Sequence, residues 1–174
     1  MLKFSEDKMK EVNEIIARYP EGKQKSALIP VLHLAQQANG GWLSTESMDY
    51  VATLLQISPI EVYEVATFYS MYHVKPVGKY VLEVCRTGPC CLRGAENIIS
   101  MLEKKLNIKV GGTSEDGLFT LKTVECLASC GTAPMMMLGY DYYENLTEQK
   151  LDDLLSKWKK EAGGSYAPVK GSHI

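Results

Sequence analysis

Apolar residues in the first part of the chain recur at the three- and four-residue spacing of helix faces, and later segments alternate as strands do. Met9, Val12, Ile15 and Ile16 share one face behind Ser5, a suitable N-cap, with Phe4 placed to staple onto Met9. Tyr19-Pro20-Glu21-Gly22 ends that helix. A second apolar run, Ala27 to Ala35, contains Pro30, which must lie in the first turn or kink the helix because it has no N–H. Asn39-Gly40-Gly41 stops it. A third helix starts after Ser44 and turns Met48, Val51, Leu54 and Leu55 inward. The fourth opens at Ser58-Pro59-Ile60-Glu61, which joins an N-cap, a proline at the first helical position and a reciprocal glutamate. Val62, Val65, Phe68 and Tyr69 are its expected inward residues. This block shows no paired carboxylates, nucleophile or ligand cluster, so packing and docking are its expected work.

Lys75-Pro76-Val77-Gly78 marks a boundary, after which the period changes. Tyr80 to Val84 reads as a strand rich in β-branched and aromatic residues. A helix is expected from near Cys91, with Leu92, Ala95, Ile98, Ile99, Leu102 and Leu106 on its apolar face. Gly111-Gly112 and Glu115-Asp116-Gly117 are turns, and Leu118 to Val124 is a strand. Gly131 to Leu138 reads as another, turned by Gly139-Tyr140-Asp141 into Tyr142-Tyr143. Thr147 caps a last helix with Leu151, Leu154, Leu155 and Trp158 inward. Three parts are expected: a helical domain over 1–74, a second domain over 75–162, and a tail over 163–174 that lacks periodicity and is expected to be flexible until it meets a partner.

Composition narrows the setting. A 45% hydrophobic content can fill a core, and a formal net charge of −2 without a basic run gives no footprint for nucleic acid. The start, Met1-Leu2-Lys3-Phe4-Ser5-Glu6-Asp7, turns acidic at once and does not read as a signal peptide. No apolar stretch approaches the length of a membrane span. Five cysteines, an odd number, argue against a disulfide framework and for the reducing cytosol.

Those cysteines carry the chemistry. Cys85 and Cys90 form a C-x4-C pair, Cys126 and Cys130 a C-x3-C pair, and each pair follows a strand-like run. Four thiolates from two loops make a metal site. Zinc is one reading. Sulfur-only ligation equally suits an iron–sulfur cluster, and the wider loops fit a two-iron group, which is broader than one ion. If the following helix begins near Cys91, its N-terminus favours thiolate at Cys90. Gly88 and Gly131 are candidates to bring backbone N–H groups to sulfur. Cys91 reads as a small buried hydrophobe, with ligand substitution or oxidation as alternatives. Arg86, if not simply solvated, would stabilise a reduced cluster. His33 and His73 do not pair with the cysteines at ligand spacing, Met135-Met136-Met137 reads as core filler, and Gly111-Gly112-Thr113 is not a phosphate loop. The chain therefore shows no nucleotide site.

The segments Val84-Cys85, Cys90-Cys91-Leu92-Arg93-Gly94, Phe119-Thr120-Leu121, Val124-Glu125-Cys126-Leu127-Ala128-Ser129-Cys130 and Ala133-Pro134 resemble the thioredoxin-like [2Fe-2S] subunit of respiratory complex I, the NADH:quinone oxidoreductase. The likeness extends upstream to Glu61-Val62 and Val65-Ala66-Thr67-Phe68-Tyr69, and downstream to Tyr142-Tyr143-Glu144-Asn145-Leu146-Thr147. It departs at Ala128, where glycine is usual, and at Cys91, an added thiol beside a ligand. The resemblance implies an α+β fold, an N-terminal helical bundle followed by a thioredoxin-like [2Fe-2S] ferredoxin domain ordered as strand, helix, two antiparallel strands and helix. It further implies a [2Fe-2S] cluster on Cys85, Cys90, Cys126 and Cys130 that exchanges single electrons with FMN. FMN and NADH would sit on a larger partner subunit, since a flavin must split the hydride of NADH into single electrons. The setting implied is cytoplasmic and peripheral to the inner membrane, within a larger respiratory complex and without direct membrane insertion. NAD-linked formate dehydrogenases and hydrogenases use relatives of the same build, and a structural zinc module is the reading from another class. A thiol catalyst of the thioredoxin type would need C-x-x-C, which the Cys85–Cys90 spacing exceeds.

Overall fold

A computed structural model of the protein describes residues 3–163, so the tail expected over 163–174 lies outside the described residues from 164 onward. The described chain divides into two compact units, one running up to Pro76 and one starting at Val77.

The first unit is helical: α1 (Glu6–Ile16), α2 (Leu28–Ala38) entered through a tight turn at Gln24–Ala27, α3 (Thr45–Leu55) and α4 (Pro59–Phe68). The starts of α1, α3 and α4 satisfy orphan N–H groups much as the sequence indicates, while α2 follows Ala27 with no side-chain cap. Ser5 accepts from the Lys8 N–H at 3.3 Å and Ser44 from the Ser47 N–H at 3.2 Å, while Glu61 reaches back to the Ser58 N–H at 2.9 Å in a capping box. Pro30 lies in the first turn of α2, where it breaks no internal bond. Val12, Val31, Leu32, Leu43, Val51, Leu55 and Val62 make the centre of the core. The inward face of α4 differs from expectation. Ala66 is buried with Val62, whereas Phe68 is 79% exposed and Tyr69 40%. Phe68 lies six residues beyond Val62, about 120° around the helix, and the chain turns extended at Tyr69 (φ −87°, ψ 122°).

The second unit runs β1 (Tyr80–Cys85), α5 (Gly88–Leu92), α6 (Ala95–Leu106), β2 (Phe119–Val124), β3 (Met136–Leu138), β4 (Asp141–Tyr143) and α7 (Glu148–Glu161). The sheet order is β2-β1-β3-β4. β1 and β2 pair in parallel from Tyr80 with Phe119 to Cys85 with Val124, as a strand–helix–strand crossover requires; β3 lies antiparallel to β1 and β4 to β3. The antiparallel pair thus follows a parallel one. Leu82, Val84, Ile98, Leu102, Phe119, Leu121, Met136, Leu151 and Trp158 fill the core between sheet and helices.

Two further boundaries shift from the sequence reading. The helix expected from Cys91 is two helices broken at Arg93–Gly94, where Gly94 adopts φ 96°. The break turns Leu92 outward, 90% exposed, rather than onto the apolar face of α6. The strand expected from Gly131 is only Met136–Leu138, because Cys130–Thr132 forms a tight helical turn and Pro134 has no N–H for a ladder. The Ala133–Pro134 peptide is cis.

Candidate metal centre

The parallel pairing decides where the cysteines go. β1 and β2 run side by side and end together, so the loops that follow them leave the same end of the sheet. Cys85 is the last residue of β1, opposite Val124, and its neighbours are bonded on both sides: Cys85 N–H donates to Met135 O at 3.2 Å and Arg86 N–H to Val124 O at 3.0 Å. The loops are also tied directly, by Thr87 Oγ1 donating to Glu125 Oε2 at 2.8 Å.

Cys85 and Cys90 are buried, 3% and 2% exposed, and pack with Ala95, Ala133, Met135 and the partly buried Leu127. The Cys85 sulfur lies in the field of the Cys90 thiol and of the N–H groups of Thr87 and Leu127, the latter from the opposite loop. Burial works against charge on Cys85, but these donors outweigh it and hold the thiol below its ordinary value. Cys90 moves the other way, pushed up to about 11 by burial first and then by the neighbouring Cys85 sulfur, while the Met135 N–H pulls against that rise. Cys90 is the third residue of a five-residue helix, and burial outweighs the helix start in setting its proton affinity without a bound metal.

Cys126 and Cys130 stand at the surface. Cys126 Sγ accepts the Ala128 N–H at 3.3 Å, Ala128 itself holding a left-handed backbone (φ 60°), and Cys130 lies near enough to Cys90 to add to the rise in its pKa. Among the described residues, no three or more Cys, His, Asp or Glu side chains converge as tightly as one metal ion requires. The candidate donor set is all sulfur, two thiols buried and two exposed, with the Ala128 N–H on Cys126 and further peptide N–H groups acting on Cys85 and Cys90. That chemistry fits an iron–sulfur group, whose sulfurs are commonly hydrogen-bonded by backbone amides.

The amide donors are not the expected ones. They belong to Thr87, Leu127, Ala128 and Met135, while a Cβ at Gly88 or Gly131 would meet open space. Cys91 is partly exposed rather than buried, its Sγ donating to Arg86 O at 3.0 Å. Arg86 pairs with Glu96 at 3.1 Å, both side chains about half exposed, so a neighbouring carboxylate offsets its charge. Of the methionines, Met135 and Met136 are fully buried. His33 packs on Tyr72, ring centroids 5.0 Å apart, with burial holding its pKa below the ordinary value.

Residues 12–159 match the family described as thioredoxin-like [2Fe-2S] ferredoxin. The chain is 44% identical to an NADH-quinone oxidoreductase subunit of Rickettsia felis over 158 residues, covering 91% of this chain and 95% of that one. It is 43% identical to the mitochondrial NADH dehydrogenase [ubiquinone] flavoprotein 2 of Dictyostelium discoideum over 165 residues, covering 95% of this chain and 67% of that one. Among solved structures, a chain of an NAD+-reducing [NiFe]-hydrogenase in the air-oxidized state superposes with a TM-score of 0.66 at 18% identity, covering 75% of this chain and 23% of that one. That likeness is one of fold.

Proposed function

The chain belongs to the thioredoxin-like [2Fe-2S] ferredoxin family, and on that premise we propose that Cys85, Cys90, Cys126 and Cys130 hold one [2Fe-2S] cluster, which makes the chain an electron-transfer subunit of an NADH:quinone oxidoreductase. The observation that carries this reading is the meeting of the two cysteine loops at one end of the parallel strand pair, where Thr87 Oγ1 of the first donates to Glu125 Oε2 of the second at 2.8 Å. When bound, the cluster supplies reversible storage of one electron. The chain's own residues do the rest. Cys85 and Cys90, packed against Ala133 and Met135, exclude water from one side, and the amides of Thr87, Leu127, Ala128 and Met135 place positive dipole on the sulfurs, which favours the reduced state. Cys126 and Cys130 face outward, where an electron partner can approach.

That partner, in this reading, is the larger subunit holding FMN and NADH. The electron exchanged with FMN is stored on a side branch, and the helical unit serves for docking. No helix among the described residues is long and apolar enough to cross a membrane, in keeping with a peripheral place in a membrane-bound complex. Identity of 44% along most of both chains favours the quinone-linked assembly over a hydrogenase or formate dehydrogenase.

Anaerobically purified protein should contain two irons and two sulfides per chain, as a [2Fe-2S] cluster requires, absorb in the visible, and give a paramagnetic signal on reduction. Serine at any of the four positions should alter or abolish that signal, whereas C91S should keep it. Zinc without iron or sulfide would refute the reading, as would an unaltered signal in all four variants.

A further inference from the structure

Glu144 has no place in the ligand set, yet it touches both sides of Cys130. The segment Glu125–Met135 contains no strand and few internal bonds: Thr132 N–H donates to Ser129 O at 3.2 Å and Ala133 N–H to Cys130 O at 3.4 Å. Its shape is imposed from the connector between β4 and α7. Glu144 Oε1 accepts from the hydroxyls of Ser129 and Thr132, the latter at 2.7 Å, and those two hydroxyls stand 2.7 Å apart. Thr132 Oγ1 also lies 3.1 Å from Ser129 O, and each hydroxyl has one proton to share among these contacts, so Glu144 Oε1 is the charged acceptor on which both hydroxyls converge. The backbone on either side adds Asn145 N–H to Thr132 O at 2.7 Å and Leu146 N–H to Pro134 O at 2.9 Å, and Tyr142 O–H reaches Leu127 O at 2.8 Å. The connector is fixed in turn by Lys150 Nζ on Glu144 O at 2.6 Å and by the Thr147 cap of α7.

We propose that Glu144 is the positioning residue of the second cysteine loop: its carboxylate holds Ser129 and Thr132, and through them sets the place of Cys130 and the reduction potential of the group bound there. The second half of this statement rests on the ligand reading above; the first half does not. The carboxylate acts in two separable ways. As a double acceptor it restrains the loop, and as a fixed negative charge close to a group that gains negative charge on reduction it opposes the added electron.

The test uses the full-length chain with E144A, E144Q and S129A, in two preparations. In metal-free protein, E144A should speed amide hydrogen exchange across residues 126–133 about tenfold, as expected for loss of hydrogen bonds to a charged acceptor, with α6 and α7 unchanged. S129A should give part of that effect. In cluster-loaded protein, E144Q should keep iron and sulfide and shift the midpoint potential positive, while E144A should lose iron faster and change the shape of the reduced-state paramagnetic signal. Unchanged exchange in E144A overturns the positioning role. Unchanged potential and signal in a loaded E144Q and E144A overturn the tuning role. If the wild-type chain takes up no iron and sulfide, the ligand reading has failed, and the exchange result alone decides the place of Glu144.

Discussion

Ala128 holds φ 60°, a left-handed backbone that a Cβ disfavours by roughly 1–2 kcal/mol and that glycine, usual at this place in the family it resembles, adopts freely. The same turn carries the N–H that donates to Cys126 Sγ. Replacing Ala128 by Gly should stabilise the fold by about 0.5–1 kcal/mol, the relief of strain being partly offset by greater freedom in the unfolded chain. A denaturant titration read for its midpoint at constant slope checks this, and a lower midpoint would show that the alanine is not strained. The four candidate cysteines stand out in the sequence because thiol pairs at short spacing announce themselves. The amides that serve them were not. Any residue type can offer an N–H, so Thr87, Leu127 and Met135 are marked only by the backbone path, which depends on loops meeting from distant parts of the chain. Glu144 escaped for a related reason, as its partners Ser129 and Thr132 look like ordinary loop polarity until the connector after β4 is folded onto them.

Helix starts were legible because capping is local chemistry, and α4 shows its energetic side. Glu61 is held below the ordinary carboxyl value of 4.5 by the Lys25 ammonium first and by the Ser58 N–H next. A folded-state value below the unfolded one means that its contribution is fully present above the ordinary glutamate range and is lost as the pH falls through the folded value. E61Q should therefore flatten stability against pH in the acid range while changing little near neutrality beyond a constant offset; an acid profile parallel to wild type would contradict this. The ends of α4 and α5 were less legible. Apolar Phe68 and Leu92 continue a periodic pattern, but the helix stops at one and Gly94 bends the chain after the other, so pattern alone assigned them inward. At α7 pattern and packing agree. Trp158 is buried among Tyr80, Phe119 and Tyr143, with ring centroids 5.8, 6.4 and 5.2 Å away, and pins the last helix to the sheet. W158A should cost about 3–5 kcal/mol, measured by chemical unfolding; a loss under about 1 kcal/mol would show that the helix is held elsewhere.

At the scale of the molecule, each unit encloses its own core, one centred on Val31, Leu32 and Val51 and one on Leu82, Leu102 and Phe119. A compact unit with its own core is a candidate for independent folding. We therefore propose that 75–162 is a self-sufficient domain: expressed alone it should unfold cooperatively and, under the proposed function, take up iron and sulfide. A fragment that neither melts cooperatively nor binds iron would show that the helical unit is required.

The side-by-side, same-direction run of the first two strands of the second unit also imposes an order on biosynthesis. Such a pair cannot be closed by a tight turn; the intervening helices must form and swing back before the strand tips meet. A growing polypeptide released no further than Val124 owns half its sulfur donors and nowhere to bring the others. Under the proposed function, delivery of inorganic iron and sulfide is accordingly expected late in maturation, gated by closure of the sheet rather than by emergence of the first thiols from the ribosome.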